Sequence, residues 1–163
     1  MTASMADTPA RINALIALYR ESHYDVEMPR GGTVTLRIGA PAPAAVTRWI
    51  GADGVAFYMT ACNPRSTSLP KEENDQRLET LRAELRARGC RWLEGAGHIP
   101  GEAWREECLL IAGIDTGEAD RLARRHDQNS ILVVPAKAAV TLRIYRPEWR
   151  AIAGDGADLE WAE

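Results

Sequence analysis

Gly54-Val-Ala-Phe-Tyr-Met-Thr-Ala61 runs into Cys62-Asn-Pro64 and, after a short polar stretch, into Pro70-Lys-Glu-Glu-Asn-Asp-Gln-Arg-Leu-Glu-Thr-Leu-Arg-Ala-Glu-Leu-Arg-Ala-Arg-Gly89. The first run is almost wholly apolar and aromatic, the pattern of a strand covered on both faces, so it belongs at the centre of a sheet. In the second, Leu78, Leu81 and Leu85 fall on one helical stripe with charge elsewhere, and Gly89 suits a C-terminal cap. A helix over 70–89 is therefore expected to pack across the sheet.

Downstream, Cys90 to Leu93 reads as a short strand, Gly95 to Gly101 as loop, and Glu107 to Ile114 as an apolar strand, together a wide hairpin. Asp115 and Glu118 have capping-box spacing and open a second helix to about Asp127. Strands Ser130–Pro135 and Ala139–Tyr145 follow. Upstream, Thr8-Pro9 starts a helix carrying Ile12, Leu15, Ile16 and Tyr19 on one face. Tyr24–Met28 and Thr33–Ile38 form a hairpin around Pro29-Arg-Gly-Gly32, and Pro43 to Ile50 a short helix. The expected class is α/β (α+β): one domain, a mixed and mostly antiparallel sheet, and two main crossover helices at 70–89 and 116–127 packed on it. Residues 1–8 are expected to be flexible, 9–146 to form the globular domain, and 147–163 to be a tail partly docked through Trp149 and Trp161.

At 163 residues and 17.9 kDa the chain suits one domain rather than two. With 45% hydrophobic and 26% charged residues it can bury a core, which excludes wholesale disorder. A net charge of −3 and a pI near 5.7 supply no global field for nucleic acid or anionic membrane. The N-terminal residues lack the basic and apolar regions of a secretory signal, and no apolar run approaches the ~20 residues that span a bilayer. The odd set Cys62, Cys90 and Cys108 argues against a disulfide framework and fits a reducing cytoplasm.

Polar residues converge at one end of this sheet. Asn63-Pro64 leaves the central strand at its carboxyl edge, where α/β ligand sites lie. Asn74 falls in line with the leucine stripe one turn into the helix, with Arg77 beside it. If the next strand returns parallel to 54–61, strand 107–114 starts at the same end and brings Glu106 and Glu107. The helix 116–127 then lays strand 130–135 alongside 107–114, adding Gln128 and Ser130. Taken singly, each of these residues also serves as an ordinary turn cap.

The same stretches, Thr60-Ala-Cys-Asn-Pro64, Glu73-Asn-Asp-Gln-Arg77, Glu106-Glu-Cys-Leu-Leu110 and Gln128-Asn-Ser130, resemble in this order the bacterial family catalogued as domain of unknown function 3293, over roughly Tyr19 to Tyr145. Cys108 stands where a serine is expected after the glutamate, and His126 where an aromatic residue is usual. The resemblance implies a small α/β domain and no assigned reaction.

Neither the cysteines nor His23, His98 and His126 have zinc-site spacing, and no phosphate-binding glycine motif is present, so neither metal nor cofactor is expected. Eighteen of the twenty basic residues are arginine. Those late in each main helix complement its dipole and pair with nearby glutamates, so they read as a solvated, salt-bridged face rather than a nucleic-acid stripe. The expected function is binding of a small polar ligand, nucleotide-like or amide-bearing, by Asn63, Asn74, Arg77, Glu106, Gln128 and Ser130. Glu107 is the candidate general acid or base if a reaction follows. The alternative is a protein-interaction or regulatory module without enzymatic activity, which exposed Trp49, Trp104 or Trp149 forming one patch would favour.

Overall fold

The computed structural model describes residues 7–163; the first six residues of the expected flexible segment 1–8 lie outside the described residues. The chain begins with helix α1 (Pro9–Glu21), the hairpin β1 (His23–Glu27) and β2 (Thr33–Leu36), helix α2 (Ala44–Ile50) and strand β3 (Val55–Met59). It continues through helix α3 (Lys71–Ala87), strands β4 (Arg91–His98) and β5 (Arg105–Ala112), helix α4 (Thr116–Arg125), and strands β6 (Ser130–Pro135) and β7 (Thr141–Ile144). A short helix α5 (Arg150–Ala153) and strand β8 (Leu159–Trp161) close it. The strands form one eight-stranded sheet in the order β2-β1-β4-β5-β3-β6-β7-β8. Every pairing is antiparallel except β7 with β8. This is the expected mixed, mostly antiparallel sheet with its two crossover helices.

The twofold alternation of β3 explains why its sequence is apolar throughout. Phe57 and Met59 face the α3 and α4 side, where they join Leu78, Leu81 and Leu85 of α3 and Leu122 of α4. Ala56 and Tyr58 face the opposite core, with Ile12 and Ile16 of α1. Each fully buried leucine contributes roughly 1.5–3 kcal/mol, so the stripe on α3 anchors that helix to the sheet. Local signals set the helix ends. Thr8 accepts from the Arg11 amide at 3.2 Å ahead of Pro9, and the Asp115–Glu118 capping box closes in both directions, at 2.8 and 3.0 Å.

Three expectations need correction. The stretch Gly95–His98, read as loop, is the second half of β4, paired with β1 from Val26↔Gly95 to His23↔His98. Its glycines belong there because a side chain at Gly95 would bring a Cβ to 2.1 Å from the Asp25 carbonyl oxygen. Strand β6 does not lie beside β5; the two flank β3 on opposite sides. The β4–β5 hairpin folds back against one edge of β3, and the α4 crossover delivers β6 to the other. Beyond Pro147 the chain does more than dock: β8 adds an outer strand parallel to β7, and Trp149 is completely buried.

Candidate functional site

The register fixes which side chains meet at the exit of β3. Met59 pairs with Leu109 and Tyr58 with Leu132, so the residues just after β3 lie level with the starts of β5 and β6. Asn63, Glu106, Gln128 and Ser130 are thereby brought to one cavity of about 220 Å³. Leu15, Leu18 and Tyr19 of α1 cover it, and Tyr58, Cys108 and Leu132 contribute to the sheet wall beneath. The shared strand direction expected from the sequence holds even though β5 and β6 are not neighbours.

Asn63 organises the polar end. Its side-chain amide donates to Glu106 Oε2 at 2.8 Å, while its Oδ1 accepts from the Leu69 amide at 3.0 Å and from Asn74 Nδ2 at 2.8 Å. Asn74 Oδ1 in turn accepts from the Asn63 backbone amide at 2.9 Å. Asn74 is half-buried and sits behind the cavity, holding Asn63 rather than facing a ligand. Arg77 is also a brace: it donates to Ala61 O at 2.7 Å and His126 O at 3.1 Å, tying the exit of β3 to the end of α4. Asn63, Arg65 and Ser66 all have positive φ, at 46°, 53° and 58°. Such backbone costs about 1–3 kcal/mol per residue unless its surroundings hold it, and here Arg65 N–H bonds to Asp127 O at 2.7 Å.

The sequence assignment of the acid to Glu107 needs correction. Alternation along β5 puts Glu106 with Cys108 and Leu110 on the α1 side, and Glu107 with Leu109 and Ile111 on the α3 side. Glu107 is exposed and does not line the cavity; Glu106 is half-buried and does. Burial raises the Glu106 carboxyl to about 7, against the opposing pull of the Asn63 hydrogen bond. The titratable groups around it, Tyr19 of α1, Tyr24 of β1 and Cys108 of β5, are themselves pushed up by burial and stay neutral. Among the described residues no lysine, arginine or histidine lines the cavity.

Several participants were not singled out from sequence. Tyr19 read only as part of the apolar face of α1, yet its hydroxyl lies 2.9 Å from Ser66 Oγ at the cavity wall. Asn129, beside the selected Gln128, donates to Ser66 Oγ at 3.0 Å. Trp104, 39% exposed, stands on the rim. Burial raises the Cys62 thiol, which removes the thiolate that nucleophilic chemistry needs. Among the described residues no group of three or more His, Cys, Asp or Glu side chains is placed to hold a metal ion. Nor is any helix among them long and apolar enough to cross a membrane.

Fold and site together define an α/β domain with a cavity of about 220 Å³ at the carboxyl end of its central strand. Residues 59–131 match the model of a family described as Protein of unknown function (DUF3293), the family the sequence resemblance indicated. All four motifs lie within that match, which runs from the last residue of β3 into β6 and so contains the Asn63, Glu106 and Gln128 end of the cavity. No curated protein and no solved structure matches the chain.

Proposed function

We propose that this protein binds a small polar ligand, nucleotide-like or amide-bearing, in the cavity at the exit of β3, and that Glu106 exchanges a proton with it. One observation carries the reading: a carboxyl raised to about 7 lines a cavity of about 220 Å³, with one oxygen pinned by Asn63 and the other without a hydrogen-bond partner among the described residues. A group poised near neutrality can give or take a proton at little cost, which is what general acid–base chemistry requires. The same group, whichever form it takes, offers a hydrogen bond to a bound molecule.

The reading places the chain in a bacterial cytoplasm, in keeping with three free cysteines. The competing reading, a protein-interaction module, called for an exposed tryptophan patch. Trp104 is exposed, whereas Trp149 is buried and Trp49 is half-buried with Arg91 4.7 Å over its ring, so less supports that reading than supports the cavity. A thermal-shift screen of polar metabolites against wild type and Glu106→Gln tests the proposal. A compound that stabilises the wild type and loses its effect in the variant supports it. Compounds that stabilise both equally would overturn the role of Glu106.

A further inference from the structure

The donors and acceptors in the cavity wall are unequally committed. Tyr58 donates its hydroxyl to the Asp25 carbonyl at 2.8 Å, Tyr24 to the Tyr19 carbonyl at 2.7 Å, and Thr60 to the Glu107 carbonyl at 2.6 Å. Gln128 spends both amide hydrogens, on Cys62 O and His126 O, each at 3.1 Å. Left over among the described residues are the Ser68 hydroxyl and the Trp104 indole N–H at the rim, and several acceptors deeper in. Glu106 Oε1 and Gln128 Oε1 receive no hydrogen bond from the described residues. Asn129, only 4% exposed, keeps a buried Oδ1 with no partner among the described residues. Among the described residues Glu106 is the one charged or basic side chain lining the space, so the cavity repels an anion and favours a molecule that brings N–H groups to Glu106 and Gln128.

We infer that the ligand presents an array of N–H donors on a flat apolar body, as an amidine or an amino-substituted nitrogen heterocycle does, and that phosphate and carboxylate groups are excluded from the cavity. The inference rests on the ligand-binding reading above and narrows it: a nucleobase-like ring fits, a nucleotide's phosphate does not. Glu106 and Gln128 would take the N–H edge, while Leu15, Leu18 and Leu132 receive the body of the ring.

Benzamidine and benzoate are nearly equal in shape and opposite in charge, so the intact protein can be titrated with each by calorimetry. Saturable benzamidine binding, at least tenfold tighter than benzoate and weakened at least tenfold in Glu106→Gln, is the expected result. Amide chemical shifts of the wild type should move at Glu106, Gln128 and Ser130, a readout that needs no variant to fold. Benzoate binding as tightly as benzamidine, or no benzamidine saturation by about 10 mM, would overturn the inference. If benzoate wins and still depends on Glu106, the ligand-binding reading survives its narrowing. If either probe shifts those amides yet binds wild type and Glu106→Gln alike, the Glu106 reading itself fails.

Discussion

Replacing Glu106 by glutamine should stabilise the protein, and by an amount that depends on pH. The carboxyl titrates at about 7 in the fold against an ordinary 4.5, because burial penalises its charge. At about 1.4 kcal/mol per tenfold change in proton affinity, that difference corresponds to about 3 kcal/mol. Its folded-state value is raised, so the stability linked to the proton is complete below the unfolded value near 4.5 and is lost as pH rises through about 7. Glutamine keeps the shape and offers Asn63 the same acceptor without the charge. Urea denaturation of both proteins from pH 4.5 to 9 should show matching stability at the acid end. The variant should gain up to about 3 kcal/mol above pH 7, or roughly 6–12 °C in Tm for a chain of this size. A difference that is flat with pH, or a variant less stable at pH 8, would refute the burial of an uncompensated carboxyl at this position.

Glu107→Gln, on an exposed side chain outside the cavity, should leave stability within about 0.5 kcal/mol at every pH in the same titration. Asn63→Ala removes the hydrogen bond that holds the Glu106 carboxyl down, so the carboxyl should titrate above its wild-type value when followed by carbon-detected NMR. Asn74→Ala strands the Asn63 amide and side chain and should cost about 1–3 kcal/mol in chemical denaturation. Gly95→Ala drives a Cβ into the Asp25 carbonyl, so it should lose at least about 1–3 kcal/mol and weaken amide-exchange protection where β1 meets β4.

What was legible in the sequence depended on whether the signal was local. The strand at 55–59 and the helices α3 and α4 declare themselves through apolar runs, a leucine stripe and a capping box, all within a few residues. The second half of β4 is invisible because the reason for Gly95 lies on β1, in the carbonyl of Asp25. Strand β8 spans only Leu159–Trp161, too short for a period to show. At the site, the convergence of Asn63, Glu106 and Gln128 followed from strand direction alone and did not need the correct neighbour order. The choice between Glu106 and Glu107 required the phase of β5. That strand is buried on both faces from Cys108 onward, so its sequence carries no polar alternation from which to read the phase.

Two polar clusters in this protein differ in a way that supports the proposal of a site over a set of turn caps. On the other face of the sheet, Asp25 accepts from Thr35 at 2.7 Å and pairs with His98 at 2.8 Å, and His23 meets Arg37 at 3.0 Å. Each group there has a partner, as residues kept for stability do. At the exit of β3 the opposite holds. A carboxyl is placed where its charge is unfavourable, three residues adopt left-handed backbone to put Asn63 against it, and acceptors on Glu106, Gln128 and Asn129 are left unspent. Glutamine at 106 would relieve the first of these costs without disturbing the fold. A polar network that is locally unfavourable, yet held in place by Asn74, Arg77 and the Asp127 carbonyl, supports the proposal that a bound molecule completes it.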